Sequence, residues 1–406
     1  MSTSKRSDGT GLPVRARRVT ATVFAAQGAA VAAVTTTMPA VKEHLGLSPL
    51  LITALTVALA LSAGVGSFAG LFMIRRVGPV AAMRVSTLLA AAVLLLIGWA
   101  PNQATAMVAY PLFGLAVGGI DVSVNTRAAA VERAYGRSIF ASFYAAWSAV
   151  GVLAALLTAG TARLGWAVEH ILTAHAVLVL ILALTIRTHP VPSASAPPVE
   201  PDAPVSLGLK VWVRLAPFGI VLLIAYVIDS TVSTWSTVYL RDTLAASLAV
   251  APLAFAAYQV GTVAGRACGD LLIRRFGPPT VIRGAALTTA VAMAGLAAAP
   301  TWHYAVVAAG CAGVGVAAFA PLCLASAGRL LPEAAESVLA RMNTFNYLGV
   351  LIGGAVSGLL GSTGHFRLAY AVPACLALVL LVAARAFRAP ASVPVPHAAE
   401  TRMAPA

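Results

Sequence analysis

Twelve long apolar stretches dominate this sequence and leave few folds open to it. A helix of about 20 mainly apolar residues crosses the hydrocarbon core of a bilayer, and each stretch has this approximate length or more, with few charged residues and most of those near its edges. Apolar residues make up 60% of the 406-residue chain and charged residues 10%, whereas soluble domains average about 25% charged residues. The predicted spans cover residues 19–40, 49–73, 80–100, 104–130, 138–162, 167–186, 211–239, 247–272, 279–299, 303–328, 337–361 and 368–385.

The stretches are continuously apolar, whereas the strands of a membrane barrel are short and alternate apolar with polar residues. A helix also satisfies its own backbone hydrogen bonds in lipid, where water is not available to do so. The pattern therefore predicts an all-α membrane protein with twelve transmembrane helices.

One phrase occurs twice. GSFAGLFMIRRVGP, residues 66–79, returns 199 residues later as GRACGDLLIRRFGP, residues 265–278, with seven of fourteen positions identical. A repeat at about half the chain length indicates a duplicated unit, and a stretch rich in Pro, Ser and Ala separates the two copies. We therefore expect two pseudo-symmetric six-helix bundles. The predicted organisation is an amino-terminal tail at 1–18, a bundle at 19–186, a linker at 187–210, a second bundle at 211–388 and a tail at 389–406.

The basic residues predict the orientation, because lysine and arginine remain mainly on the cytoplasmic side of a membrane. With the amino terminus inside, 23 of the 27 basic residues lie at inner ends and loops, and Lys42, Arg163, Arg241 and Arg367 lie outside. This asymmetry predicts a multi-pass protein of the cytoplasmic membrane with both termini in the cytoplasm. The net charge of +14 is spread over seven inner segments, so no nucleic-acid partner is expected.

Twelve helices in two sets of six, a long central inner loop and a repeated Arg-Arg-x-Gly turn resemble the major facilitator superfamily of secondary transporters. The family signature at this turn reads G-x-x-x-D-R-x-G-R-R, and the match is partial. In the first half, Arg75 occupies the position of the aspartate in the family signature. In the second copy an acid, Asp270, lies five residues before Arg275. The resemblance implies a gating ion pair of Asp270 with Arg274 or Arg275. The glycines of the repeated phrase either belong to a gate or serve simple helix packing. Its arginines either belong to the gate or only fix the orientation in the membrane. The predicted gating residues are Gly66, Gly70, Arg75, Arg76, Gly78, Glu132, Arg133, Arg137, Gly265, Arg266, Gly269, Asp270, Arg274, Arg275 and Gly277.

Predicted helix 4 carries a polar stripe. Asp121, Asn125 and Glu132 are spaced four and seven residues apart, which places them on one helical face. An ionisable residue inside a span costs at least about 2.5 to 3.5 kcal/mol on insertion scales and usually faces a cavity. We interpret Asp121 as a proton-coupling residue. The alternative is a structural partner for an arginine such as Arg127.

This stretch is similar to the fucose-permease-like branch of the superfamily, and most similar to bacterial members of unassigned substrate that share the run IDVSVN...ER.YGR. The branch carries an acid and an asparagine four residues later in helix 4, then an aromatic-rich helix 5. The matching positions here are Asp121, Asn125, Gly136, Phe143, Tyr144 and Trp147. The resemblance implies that Asp121 is a protonatable, solute-facing carboxylate. Helix 1 departs from the fucose permease, because it offers Gln27 where that protein has a carboxylate.

Predicted helix 7 holds a second intramembrane acid, Asp229, with Tyr226 and Ser233 on the same face. Asp229 is the second candidate for proton coupling. Trp235 lines the solute site or belongs to an interfacial aromatic belt. Asn346 and Tyr347 line the site or bond to a neighbouring helix. The candidate substrate-binding residues are Gln27, Asn125, Tyr144, Trp147, Tyr226, Trp235, Tyr258, Asn343 and Asn346.

These residues predict a secondary active transporter that moves a small organic solute, sugar-like or otherwise hydroxylated or aromatic, by proton-coupled alternating access. Metabolite or drug efflux by proton antiport is the alternative, although helix 5 lacks the proline of the family's G-x-x-x-G-P-x-x-G-G antiporter run. A membrane-embedded enzyme or sensor is a remote alternative, because the seven histidines show no catalytic spacing. The four cysteines lie inside spans without metal-ligand spacing and are expected to be small buried residues. We expect a monomer in the lipid bilayer, with a small-molecule substrate and protons as partners and with neither cofactor nor metal.

Overall fold

The computed structural model describes residues 11–135, 139–186, 209–330 and 335–387. These residues form thirteen α-helices and a final short 3-10 turn at Ala384–Phe387. The helices are α1 (Gly11–Leu45), α2 (Pro49–Val77), α3 (Pro79–Gly98), α4 (Gln103–Tyr135), α5 (Phe140–Arg163), α6 (Val168–Leu184), α7 (Leu209–Asp242), α8 (Pro252–Phe276), α9 (Pro278–Ala298), α10 (Trp302–Val316), α11 (Phe319–Leu330), α12 (Ala335–Ser362) and α13 (Phe366–Ala383).

The predicted all-α membrane fold is confirmed. Within the described ranges, ten spans are long and apolar enough to cross a membrane, and α6 is a shorter apolar helix. The helix α8 is not among the ten, because polar and charged residues such as Gln259 and Arg266 lower its mean hydropathy. It nevertheless packs inside the bundle against α5 and α10. Most of the predicted linker at 187–210 lies outside the described residues, and α7 begins at Leu209.

The two halves repeat the same packing scheme. In the first half α2 packs on α4, α1 on α5 and α3 on α6, and in the second half α8 packs on α10, α7 on α12 and α9 on α13. Each pair in one half therefore has its counterpart in the other. This is the pseudo-symmetry that the repeated phrase predicts.

The repeated phrase ends in the same turn in both halves. Gly78 and Gly277 have φ values of 83° and 75°, in the region that favours glycine. Each glycine donates its backbone N–H to the carbonyl four residues earlier, at 2.9 Å to Ile74 and 2.9 Å to Ile273. The proline that follows each glycine starts the next helix, where its missing N–H is tolerated. The Gly-Pro pair thus stops one helix and starts the next.

The tenth predicted span, 303–328, is interrupted. The first helix of this crossing, α10, ends at Val316 and α11 begins at Phe319. Pro321 lies in the first turn of α11, so it has no N–H to continue the hydrogen-bond ladder from α10. Mean hydropathy over a window does not register such a break. The sequence therefore predicts one continuous helix over 303–328.

Glycines bring the backbones of paired helices into contact. A Cβ atom built on Gly66 of α2 would lie 2.2 Å from the carbonyl oxygen of Leu115 in α4. In the second half a Cβ on Gly261 of α8 would lie 2.0 Å from the carbonyl oxygen of Gly310 in α10. These approaches exclude any side chain at the seam and support helix packing as the role of Gly66.

The cysteine prediction is wrong for three of the four residues. Cys323 is buried, whereas Cys268, Cys311 and Cys375 are exposed on the helix bundle. A helix that faces lipid can carry small, weakly polar residues on its outer surface as well as in its core. All four are free thiols.

Polar contacts join the two halves at the end of the bundle opposite Arg75, Arg76, Arg274 and Arg275, the paired arginines that end each copy of the repeated phrase. We call these two ends the opposite face and the arginine-rich face. At the opposite face the last turn of α1 meets the last turn of α7. Lys42 pairs with Asp242 at 2.5 Å, and Arg241 pairs with Glu43 at 2.5 Å. We call these two ion pairs the latch.

Breaking the latch should make the opposite face more accessible. Lys42→Glu places two acids against each other at Asp242, and an exposed pair contributes about 1 kcal/mol or less, so a severalfold rise in accessibility is expected. The measurement is the rate of maleimide labelling of a cysteine at Thr237, in a background without the native cysteines. The charge-swapped double variant Lys42→Glu/Asp242→Lys should restore the slow rate. Arg163→Glu, an exposed charge change at the same face, should leave labelling unchanged, and equal rates in all four proteins would contradict a latch.

Candidate functional site

Asp121 lies midway along α4 and is held by two amides. Gln27 of α1 donates from Nε2 to Asp121 Oδ1 at 3.4 Å, and Asn125, one turn away, donates from Nδ2 to the same oxygen at 3.1 Å. The side chain is partly exposed. No lysine or arginine nitrogen of the described residues lies within 4 Å of it, so an ion pair with Arg127 is not formed. The pairing of Asp121 with Asn125 follows from their i, i+4 spacing, as the sequence predicts.

Asp229 occupies a comparable place in the second half, on α7. Tyr258 of α8 donates its hydroxyl to Asp229 Oδ1 at 2.5 Å. Ser233 shares the helical face of Asp229, as predicted, but its hydroxyl donates to the backbone carbonyl of Asp229 at 2.5 Å. The carboxylate is partly exposed and, among the residues described, makes no ion pair within 4 Å. Each half therefore presents one accessible carboxylate that is hydrogen-bonded but not neutralised.

An arginine and two tyrosines connect these carboxylates. The guanidinium carbon of Arg266 on α8 lies over the ring of Tyr144 on α5, 5.8 Å from its centroid. Tyr144 interacts electrostatically with Asp121 and Arg266. Tyr226 interacts electrostatically with both aspartates, with Tyr144 and with Arg266. We call the set that these interactions link the central cluster. Its members are Asp121, Tyr144, Tyr226, Asp229, Tyr258 and Arg266.

Aromatic rings form one side of the central cluster. Phe24 of α1 stacks on Phe143 of α5, with centroids 5.5 Å apart and planes within 4°, and its centroid lies 5.2 Å from that of Tyr144. Tyr347 of α12 is exposed and interacts electrostatically with Asp121 and Tyr144. Tyr347 directly follows Asn346, which is partly exposed, and the sequence predicts for both either a place in the site or a bond to a neighbouring helix. The electrostatic interactions of Tyr347 favour the first of these for that residue.

Two tryptophans predicted to bind solute have packing contacts. Trp235 is 1% exposed, and its indole N–H donates to the carbonyl of Gly354 at 3.0 Å. The interfacial-belt alternative is wrong for Trp235, because belt residues lie at the lipid surface. Trp147 is partly exposed, and its backbone oxygen lies where a Cβ on Gly28 would approach to 2.2 Å. The Trp235 side chain therefore helps to hold α7 against α12, whereas the Trp147 contact is made by its backbone and assigns no role to its partly exposed side chain. The side chain of the remaining predicted residue, Asn343, lies outside the described set.

The paired arginines that end each copy of the repeated phrase point away from the site. Arg75, Arg76, Arg274 and Arg275 are exposed at the arginine-rich face, and none makes an ion pair with another described residue. Arg76 lies over the ring of Phe72 and Arg275 over that of Phe276. The side chain of Asp270 lies outside the described set, so the ion pair predicted for it stays a prediction. Gly70 contacts Val122 of α4, and Gly265 contacts the backbone of α10 at Val314, whereas Gly269 meets no atom within 4 Å.

Glu132 has a specific structural contact that its spacing did not predict. Its Oε2 atom accepts the backbone N–H of Ile139 at 2.7 Å and that of Phe140 at 2.8 Å. These are free donors at the start of α5, where a negative charge also complements the helix dipole. Glu132 therefore ties the end of α4 to the beginning of α5. Arg133 is exposed, and Arg137 lies outside the described residues.

A separate cavity of about 370 Å³ opens near the latch, between α1, α5 and α6. Glu43, Glu169 and Thr158 line it. The Thr158 hydroxyl bonds to Nε2 of the buried His175 at 2.8 Å. None of its lining residues belongs to the central cluster, so this cavity is distinct from the carboxylate site.

Two matching six-helix halves around a shared polar cluster define a multi-pass membrane protein of the transporter class. The chain belongs to the Major Facilitator Superfamily, whose family profile matches residues 19–244 and 218–405. Members of this family are transporters, not enzymes.

Two relatives identified by sequence are named as uncharacterized transporters. An uncharacterized MFS-type transporter of Yersinia pestis is 28% identical over 195 residues, which is 47% of this chain and 49% of that protein. The uncharacterized transporter y4wD of Sinorhizobium fredii is 31% identical over 196 residues, 46% of this chain and 49% of that protein. The chain thus spans about half the length of the curated relatives it matches.

Comparison with solved structures supports the fold. The crystal structure of a mutant of the nucleoside transporter NupG superposes with a TM-score of 0.72 at 15% sequence identity, and the match covers 93% of this chain and 100% of that chain. At this identity the likeness shows the shared helical architecture and nothing about the solute.

Proposed function

We propose that this protein is a secondary active transporter that moves a small organic solute by alternating access, with movement coupled to protons at the central cluster. The observation that carries the proposal is the placement of Asp121 and Asp229. They lie in opposite halves, both partly exposed, and the contact between Tyr144 and Arg266 spans the boundary between the halves. A site shared by two halves is reorganised whenever the halves rock, as alternating access requires.

Asp121 is suited to carry the proton. Both amide hydrogen bonds reach Oδ1, which leaves Oδ2 for a proton or a solute hydroxyl. An intramembrane carboxylate is costly to bury in its charged form, so its charge should change as the cavity opens to one side and then the other. Coupling follows if the loaded, protonated cluster favours a different conformation from the empty one.

The conformation described here fits access from the arginine-rich face. At the opposite face the latch holds α1 against α7, and Thr237 also donates its hydroxyl to the carbonyl of Thr35 across the halves at 2.9 Å. By the distribution of basic residues, the arginine-rich face is the cytoplasmic one. We therefore propose an inward-facing state, with both termini in the cytoplasm and the protein in the cytoplasmic membrane.

The lining of the site favours a hydroxylated or ring-bearing solute. The hydroxyls of Tyr144, Tyr226 and Tyr347 and the amide of Asn125 are at least partly exposed and can bond to a solute. The exposed ring of Tyr144, which packs on the buried Phe24, supplies an aromatic surface. The resemblance to the fucose-permease-like branch at Asp121 and Asn125 also favours a hydroxylated solute. We propose that the monomer is the transporting unit, because one chain contains both halves of the site.

Proteoliposomes test this function directly. Purified protein is reconstituted, a pH gradient is imposed, and uptake of a panel of sugars, nucleosides and small aromatic metabolites is measured together with internal pH. At least one solute should accumulate only with the gradient, and its uptake should move protons. Vesicles without protein are the control. Uptake without proton movement would reject proton coupling, and a full panel without uptake would reject the proposed solute class.

A further inference from the structure

We propose that the transported solute carries a single carboxylate, and that Arg266 binds it. This inference rests on the proposed function of the central cluster and names its substrate class more closely. It also changes the expectation for Arg266, which the sequence places among gating residues.

The first observation concerns the partners of the Arg266 guanidinium. A guanidinium carries five N–H donors in one plane. The Arg266 side chain is exposed and its described contact is the face of the Tyr144 ring, at 5.8 Å. No acceptor among the described residues takes a hydrogen bond from it, and no carboxylate of those residues lies within 4 Å. The contact with the ring takes no hydrogen bond from the N–H donors, and a guanidinium presents those donors in a fork that matches a carboxylate in the two-point geometry.

The second observation is the distance of Arg266 from the arginine-rich face. Arg266 lies ten residues before Phe276, where α8 ends at the arginine-rich face, which is about 15 Å along the helix axis. Side chains on a helix lean toward its amino terminus, so Arg266 leans into the bundle. Its electrostatic interaction with Asp229 agrees with this direction. Arg274 and Arg275, in the last turn of the same helix, have the position expected of topogenic residues, and Arg266 does not.

The third observation is the charge of the cluster. It contains two carboxylates, Asp121 and Asp229, and one guanidinium, Arg266. A bound monocarboxylate adds one negative charge to the cluster. The cluster keeps its net charge only if one aspartate, Asp121 by the proposed function, takes up one proton for each solute anion that binds. Solute and proton then enter together, and the release of both restores the empty cluster.

A monocarboxylate fits this balance better than a phosphate, because a phosphate brings close to two negative charges at neutral pH and would need two protons. A neutral solute would leave Arg266 without a counter-charge whenever both aspartates are protonated. An isolated charge in hydrocarbon is costly. The charge balance therefore selects a singly charged anion.

The test compares acids with their amides in purified protein. The probes are benzoate with benzamide, glucuronate with glucuronamide, and inorganic phosphate, and the readout is the ligand-dependent rise in unfolding temperature. At least one acid should bind more tightly than its amide and more tightly than phosphate. Arg266→Gln should weaken the binding of that acid by about tenfold or more, which is the loss expected when hydrogen bonds to a charged group are removed. Arg266→Lys should retain part of the affinity, because an ammonium keeps the charge but not the two-point geometry.

Arg283→Gln, an exposed arginine on α9 outside the cluster, is the matched control and should bind the acid as the wild type does. The inference is overturned if amides bind as well as acids, if Arg266→Gln leaves the acid unaffected, if phosphate is preferred, or if no acid binds. Its failure can be told from failure of the proposed function. If the protein takes up a neutral solute with protons and this uptake depends on Asp121, the proposed function stands and the proposal that the solute carries a carboxylate is rejected.

Discussion

Replacing Asp121 with asparagine is expected to abolish proton-driven accumulation of solute while exchange of solute across the membrane continues. Asparagine has the same shape and can still accept hydrogen bonds on its amide oxygen from Gln27 and Asn125, so the local structure should persist. It cannot bind and release a proton. In proteoliposomes with a pH gradient the variant should only equilibrate the solute, and its internal pH trace should match that of empty vesicles.

Two further variants complete this experiment. Glu169→Gln removes a carboxylate on α6 outside the central cluster and should leave coupling intact. Asp229→Asn shows whether the second carboxylate carries a proton as well, because the two aspartates lie in different halves. If Asp121→Asn still accumulates solute with undiminished proton movement, Asp121 has no role in coupling.

Gly66→Ala is expected to destabilise the protein by about 1 to 3 kcal/mol, the usual cost of overpacking a well-packed interior. The added Cβ would lie 2.2 Å from the carbonyl oxygen of Leu115, a backbone atom that cannot rotate away. The helices α2 and α4 would have to separate. The measurement is the unfolding temperature of the purified protein in detergent, which should fall by several degrees.

Gly64→Ala is a closely matched control for this change, since it lies two residues away on the same helix. A Cβ on Gly64 meets no heavy atom within 4 Å, and the position is exposed. Alanine is the better helix former by about 1 kcal/mol, so this variant should be unchanged or slightly more stable. Equal losses from Gly64→Ala and Gly66→Ala would show that close packing at the seam is not the cause.

Much of the fold could be predicted because it depends on local patterns. Apolar length predicts the spans, and the Gly-Pro pairs at Gly78 and Gly277 predict where α2 and α8 end, since positive φ and a missing N–H are properties of those residues themselves. The break after Val316 was missed, because an average over a window does not register the hydrogen bond lost at one proline.

The candidate site could be predicted only in part. Asp121 with Asn125 and Asp229 with Ser233 follow from helical spacing. The contact of Asp229 with Tyr258 and that of Tyr144 with Arg266 join residues from different helices, and spacing along one helix carries no information about them. Arg266 was assigned to gating because it sits in the repeated phrase, yet its guanidinium lies over a ring in the other half.

The sequence by itself determined the all-α class, the duplicated six-helix halves and the two intramembrane carboxylates, because hydrophobic length, repeats and helical period are properties of neighbouring residues. Only the tertiary structure decided that Trp235 packs inside a half, that Glu132 caps α5, and that Arg266 lies over a ring of the opposite half. Those outcomes depend on how closely distant helices approach. That distance is set by side-chain volume and backbone contact summed over the whole bundle, which no single stretch of sequence contains.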